Sequence, residues 1–276
     1  MNPSVICITD CTDTNARARL AARIGALFGS VPAVLPLDGA EPELSAGLTL
    51  LDVLLSTQAL GTAAQPTVIL VNVAPRDGSW HNGAPFCYFR VGSNLVVSTF
   101  SARLLSFVRR SLDVACVEVT DIRTVMTAAA EGWATFTATE VETISATQFR
   151  SLWYQPLVAS WVFDGRPVPS STHQLTQPVE FEPTVVAFVD NFGNCKLNHS
   201  SHEIDFAVGS HLKVRTYEEG RAAGLRAVTC YPHLTAVPRH EPGLIVGSSG
   251  QGLAELVVRS GSAAEQFGLQ VGYEVF

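Results

Sequence analysis

An α/β domain built on a mainly parallel sheet, followed by an all-β, barrel-like domain, is the fold class this sequence predicts. Three observations carry the prediction. Strand-like and helix-like segments alternate through about residue 163, the pattern that lays helices on both faces of a parallel sheet. The stretch DGRPVPSSTHQLTQP, Asp164–Pro178, then brings three prolines and no periodicity. Beyond it, short strands recur at close spacing with turn residues between them. The domains expected are therefore residues 1–163, a linker at 164–180, and residues 181–276.

Each element has its own warrant. Ser4–Thr9 (SVICIT) is a short β-branched run. Ala16–Phe28 places apolar residues at helical spacing with arginines on the other face. Ser30–Leu37 returns to strand composition, punctuated by Pro32 and Pro36. Leu44–Leu60 reads as an amphipathic helix stopped by Gly61. Thr67–Val73 (TVILVNV) is apolar almost throughout, as a strand covered on both faces must be. Strand Asn94–Ser98, helix Leu104–Leu112, strand Val114–Thr120 and helix Ile122–Gly132 continue the alternation, and more extended sequence follows. In the second domain the strands expected are Thr184–Val189, Glu203–Val208, His211–Thr216, Ala227–Tyr231, Gly243–Val246 and Leu253–Val258. Gly261–Phe267 is its one short helical turn.

Composition narrows the function classes. With 276 residues, 47% apolar and 16% charged, the chain has the makings of a substantial core and is not a disordered protein. A net charge of −7 argues against nucleic acid or an anionic membrane as partner. The N-terminus lacks the basic start and apolar run of a signal peptide, and no 18-residue apolar span exists, so a cytoplasmic protein is expected. The six cysteines are scattered without a CxxC pair and read as reduced, mostly buried thiols.

Several motifs invite chemistry. In ITDCTDTN, Ile8–Asn15, a strand ends just before Asp10, where doubly wound sheets bind ligands. A carboxylate there accepts two hydrogen bonds from a ribose diol; the competing use of this stretch is helix capping by Asp13 or Thr14. In VDNFGNCKLN, residues 189–198, Asp190, Asn191 and Gly193 are natural hairpin residues. Phe192, however, is a large aromatic in a polar loop, and Asn194 and Asn198 add amides beyond it. A stacking face with paired donors and acceptors suits adenine. The terminal GSSGQG adds Ser248 and Ser249 as hydroxyls for a carboxylate or amine. The pair His199 and His202 with Glu203 hints at a metal, yet no further ligand stands at a metal-site spacing, so no metal and a surface turn are expected.

Taken together, ITD near the start, VDNFGNCKLN after the linker, and GSSG…AELVVRSGSAAEQFGLQVGYEV at the end resemble the family of S-adenosylmethionine hydroxide adenosyltransferases, which includes fluorinases and chlorinases. The likeness is most specific in the second domain. There an acid, Phe-Gly-Asn and a later Asn match Asp190, Phe192, Gly193, Asn194 and Asn198, and the GSAA-to-Val ending matches Gly261 to Val275. The resemblance implies an α/β domain joined to a β-barrel. It also implies a homotrimer, with the ligand between the first domain of one subunit and the second domain of its neighbour. It implies S-adenosylmethionine or adenosine as ligand, with no cofactor beyond the substrate itself. Asp10, Asp190, Phe192, Asn194, Asn198 and Ser248 become the substrate-binding set. The implied reaction is displacement of methionine from the ribose C5′ by water.

The chain departs from the family where the water is positioned. The family's Asp falls on Ala74, its Arg on or near His81, and its His on Arg150, while Pro-Asp-Asn-Gly is replaced by Ser98-Thr99-Phe100-Ser101. Two readings stay open. Either the set is rebuilt from Arg76, Asp77, His81 and Arg150, with His81 as general base, or catalysis is lost and a nucleoside-binding pocket remains. Asp77, His81 and Arg150 are the catalytic candidates under the first reading.

Overall fold

The computed structural model describes residues 2–37, 39, 41–58, 65–74, 83–175, 183–250 and 252–276. The chain forms two compact units. The first is Met1–Asp38 with Val53–Gln177, and the second is Gly39–Asp52 with Pro178–Phe276. The division thus falls inside the stretch expected as the linker, and residues 39–52 group with the second unit although they lie within the sequence expected for the first. Nor is that stretch structureless: Ser171–Gln174 is a strand paired antiparallel with Cys116–Val119. Its composition carries no strand pattern because all four residues are exposed on an edge, where no apolar face is required.

The first unit's elements are β1 (Ser4–Thr9), α1 (Thr14–Phe28), β2 (Ala33–Pro36), β3 (Thr67–Asn72), β4 (Phe86–Val91), β5 (Asn94–Thr99), α3 (Ala102–Leu112), β6 (Cys116–Thr120), α4 (Ile122–Gly132), α5 (Ala138–Ser145), α6 (Arg150–Trp153), α7 (Gln155–Phe163) and β7 (Ser171–Gln174). Helix α2 (Pro42–Gln58) contributes residues to both units. The seven strands run in the order β2-β1-β3-β5-β4-β6-β7. The first four are parallel, while β4 and β7 run antiparallel to their neighbours. Strands β3 and β5 are buried along their whole length, which is why β3 reads as a nearly continuous apolar run; the buried polar Asn94, Ser98 and Thr99 flank the apolar centre of β5.

Helix α1 buries Ala16, Leu20, Ile24 and Phe28, one stripe at helical spacing. Asp13 caps it, its carboxylate accepting from the Ala16 N–H at 2.9 Å, so this acid serves the helix and not a ligand. Its arginines have a use the periodicity does not indicate. Arg19 lies over the Phe149 ring and Arg23 over the Trp153 ring, each 5.1 Å from the centroid. Two cations four residues apart thereby meet two aromatics four residues apart.

The region after Gly132, expected to be extended, is helical instead. Thr137 and Glu140 form a capping box that starts α5, and α7 is buried on nearly every side. A helix with no polar face leaves no amphipathic period to detect. From α7, the buried Gln155 donates to the Val71 and Val97 carbonyls at 3.0 and 2.9 Å, bridging β3 and β5.

The second unit contains β8 (Val186–Val189), β9 (Cys195–Ser200), β10 (His211–Glu218), β11 (Arg221–Cys230), β12 (Pro242–Val246), β13 (Leu253–Val258) and α8 (Ala263–Phe267). Its sheet order is β10-β11-β12-β13-β9-β8. The chain's last residues lace the two outer strands together. Val275 donates to the Thr184 carbonyl at 2.7 Å and accepts from the Arg215 N–H at 2.8 Å, while Val186 donates to Tyr273 at 3.0 Å. That lacing gives the curled sheet its barrel-like character. Glu203–Val208, expected as a strand, is a 3-10 turn and bends. Glu203 folds back to accept from both the N–H and the hydroxyl of Ser200 at 2.7 Å. No helix among the described residues is long and apolar enough to cross a membrane.

The end of β3 is held by Thr99 of β5. Its buried hydroxyl accepts from the Val73 N–H at 3.1 Å and donates to the Val73 carbonyl at 3.0 Å. Thr99→Val should strand both groups and lower the unfolding free energy by roughly 2–4 kcal/mol, read by urea denaturation; a loss below about 0.5 kcal/mol would remove Thr99 from this role.

Candidate functional site

In the first unit the chemistry gathers where the parallel strands end. Asp10 follows β1 and is half-buried. Its Oδ2 accepts from the Ala74 N–H at 2.9 Å, and its Oδ1 from the Asn72 side-chain amide at 3.3 Å. The Cys11 thiol also approaches Oδ1 at 3.9 Å, so of the carboxylate's roughly four lone-pair positions one on Oδ2 is left for a ligand, while Oδ1 faces two donors of which the thiol is the weak one. Ala74 therefore serves through its backbone. Asn72 also reaches Thr9 Oγ1 at 3.3 Å and the Cys11 sulfur at 3.7 Å. Burial pushes the Cys11 thiol above its ordinary value, with Thr9 and Ser151 opposing the rise and Asp10 and Asp13 adding to it. A protonated thiol in that position is a weak nucleophile.

Arg150 approaches the same edge from α6. Its guanidinium carbon lies 5.3 Å from the Phe86 ring centroid, and Phe86 pairs with Thr99 at the end of β5 and with Thr120 at the end of β6. Among the described residues it makes no ion pair. Asp77 and His81, with Arg76, lie outside the described residues.

The second unit carries the loop that joins β8 to β9. Asp190 organises it: Oδ1 accepts from the Phe192 and Asn194 N–H groups at 2.9 and 3.0 Å, and Oδ2 from the Asn194 side-chain amide at 3.0 Å. Asp190 and Asn194, both expected to bind substrate, are thus brought together by bonding to each other. Phe192 is left 70% exposed at the tip, an unusual position for so large an apolar ring. Asn198 is buried in β9, where its Oδ1 accepts from Val185 at 2.8 Å and its amide donates to the Pro183 carbonyl at 3.3 Å. Ser248 is exposed on the β12–β13 connection.

Sequence reasoning passed over the neighbouring charges. Lys196 on β9 and Glu255 on β13 are cross-strand partners, and the lysine ammonium donates to the buried Ser249 hydroxyl at 2.6 Å. Glu255 is only 7% exposed. Burial pushes its carboxyl above the ordinary value, with Lys196 opposing and Asp190 adding to the shift. The signal was present in the sequence: Glu255 is the lone charge in the strand LAELVV. Among the described residues no group of three or more His, Cys, Asp and Glu is placed to hold a metal. His199 instead pairs through Nδ1 with the Thr184 hydroxyl at 3.0 Å.

Two outcomes follow from this geometry. Gly193 has φ +78°, and a β-carbon there would run into the Ser262 side chain, 2.6 Å from its Cβ. Gly193→Ala should therefore cost several degrees in thermal midpoint, and an unchanged midpoint would mean the loop is not held against Ser262. For Glu255, a raised folded-state pKa means the native state binds more protons than the unfolded state across the interval between the two values. Stability falls as pH rises through that interval. Glu255→Gln should then be more stable than wild type at neutral pH, with the advantage vanishing at acidic pH below the ordinary carboxylate range. The same advantage at every pH would contradict the assignment.

The residues 184–276 match the family model described as the SAM hydroxide adenosyltransferase C-terminal domain. No curated protein matches the chain. Two solved structures share its fold. An uncharacterized conserved protein from Thermotoga maritima aligns with a TM-score of 0.66 at 16% identity, covering 98% of both chains. A conserved hypothetical protein from Thermus thermophilus aligns with a TM-score of 0.55 at 17% identity, covering 99% of this chain and 100% of that one. Residues 184–276 are thus similar to the C-terminal domain of the SAM hydroxide adenosyltransferases.

Proposed function

We propose that the protein transfers the adenosyl group of S-adenosylmethionine to water, releasing adenosine and methionine. The observation that carries this reading is the Asp10 carboxylate, fixed at the strand ends by Ala74 and Asn72, with a lone pair of Oδ2 uncommitted and only a long thiol contact beside Asn72 at Oδ1. That arrangement suits the two hydroxyls of a ribose. The match of residues 184–276 to the adenosyltransferase domain supports the choice of substrate. Asp190, Phe192, Asn194, Asn198 and Ser248 are the substrate-binding set of the second unit. Phe192 supplies the stacking face, while Asp190 and Asn198 act chiefly by fixing the chain around it.

In the reaction a water oxygen attacks C5′ in line with the departing sulfur. The C–S bond breaks, and its electron pair stays on sulfur, which leaves as the neutral thioether of methionine. The water's proton passes to a base, the role assigned to His81, with Asp77 and Arg150 aligning the nucleophile. The substrate needs no additional cofactor, because the sulfonium is already a good leaving group. The active assembly is a homotrimer working in the cytosol, as the family resemblance implies.

A second reading is favoured by one observation: Ala74 offers only its backbone where the family pattern has a carboxylate. Under it, the protein binds the nucleoside without turning it over. Incubation with S-adenosylmethionine separates the two. The transferase releases adenosine and methionine in equal amounts, detected by chromatography, whereas calorimetric binding with no product supports the second reading. Neither binding nor product would defeat both. Asp10→Ala should weaken adenosine binding about ten- to hundredfold, the worth of hydrogen bonds to a charged acceptor, and an unchanged affinity would remove Asp10 from the site.

A further inference from the structure

The turn that joins β12 to β13 is anchored from three sides, and every anchor belongs to the second unit. Its base closes where Gly247 donates its N–H to the Leu253 carbonyl at 2.8 Å. The Ser249 carbonyl accepts from the N–H groups of Gly252 and Leu253, both at 3.2 Å, while its hydroxyl accepts from Lys196. The third anchor comes from α2, where the Asp52 carboxylate accepts from the Gly250 N–H at 2.8 Å.

Gly250 has no room for a side chain. Its φ is +56°, and a β-carbon there would lie 2.6 Å from Leu253 Cγ and 3.3 Å from the Leu51 side chain. The backbone amide is what the turn can offer an anchor at this point, and an ionised carboxylate is a strong acceptor for it.

Helix α2 gives that carboxylate a rigid support. Ser45, two turns before Asp52 on the same face, donates its buried hydroxyl to the Ala187 carbonyl of β8 at 3.1 Å. One face of the helix therefore holds both β8, which leads into the Phe192 loop, and the turn that carries Ser248. Groups set on regular elements hold their geometry better than groups on loops.

With Ser249 and Gly250 committed, Ser248 is what the turn displays. It is exposed, and its hydroxyl makes no hydrogen bond among the described residues. A hydroxyl on a loose turn must be ordered by its ligand at an entropic cost, which a turn fixed beforehand avoids. Beyond its nucleoside, S-adenosylmethionine has an amino-acid end with one carboxylate and one ammonium. A serine hydroxyl can donate to the first or accept from the second.

We propose that Asp52 is a positioning residue: by holding the Gly250 N–H it fixes the turn so that Ser248 meets the amino-acid end of the ligand. Asp52 itself touches no ligand atom. The inference rests on the adenosyl reading above, and it assigns to one helix residue the preference for a ligand bearing an amino-acid end over the bare nucleoside.

Calorimetry on the full chain tests it, with adenosine and S-adenosylhomocysteine as probes; the second keeps the amino-acid end on a neutral thioether that is a poor leaving group. Asp52→Ala should weaken S-adenosylhomocysteine about tenfold and adenosine less than about twofold. Asp52→Asn, whose side-chain carbonyl still accepts from Gly250, should recover most of that loss. Ser248→Ala should cost about as much as Asp52→Ala, and the double variant no more than either alone. Asp52→Ser, too short to reach Gly250, carries the same expectation should the alanine variant not fold. Equal weakening of both probes, additive losses in the double variant, or wild-type affinity in Asp52→Ala overturns the inference and leaves the adenosyl reading standing. A wild type that binds neither probe overturns that reading, and the inference with it.

Discussion

The Asp10 carboxylate, pinned where β1 and β3 end, is the constraint on which the chemistry proposed for the first unit depends. The Ala74 N–H fixes one oxygen and the Asn72 amide the other, so the acid has little freedom to rotate. Behind them, Thr99 holds Val73 by both of its backbone groups, and Gln155 bridges the β3 and β5 carbonyls. Each is a buried polar side chain committed to backbone groups near the ends of these strands. The strand ends consequently form a stiff rim, and a rim of that kind can present a carboxylate, a guanidinium and backbone groups in fixed relation.

The second unit uses the same device differently. Asp190 commits its carboxylate to its own loop, and the loop then carries Phe192 outward. Asn198 commits its amide to the entry of β8. Residues that look like ligand groups in the sequence therefore shape the backbone, and what they display is an aromatic face. Beside them Lys196, Ser249 and Glu255 form a buried polar group whose one short bond joins the lysine to the serine. The carboxyl's raised pKa reflects burial that this lysine only partly offsets.

Much of the fold was legible because burial leaves period in the sequence. The all-apolar β3 and the α1 stripe Leu20, Ile24 and Phe28 each declared their element. What escaped lacked that period. Helix α7 is apolar on every face, β7 is exposed throughout, and β9 was hidden by the polar Lys196, Asn198 and His199 that interrupt it. The site was legible in part for a related reason. Asp10 could be placed from the strand that precedes it, but nothing in the spacing revealed that Ala74 and Asn72 would hold it. Glu255 was visible as a solitary charge in an apolar strand, whereas nothing in the spacing marked Lys196 as its cross-strand partner.

The most direct test of the account is a crystal structure with adenosine bound. The account predicts the ribose 2′- and 3′-hydroxyls within hydrogen-bonding distance of the two Asp10 oxygens, with the Ala74 contact retained. A nucleoside seated away from Asp10, or an Asp10 side chain turned inward with no room for a sugar, would contradict it.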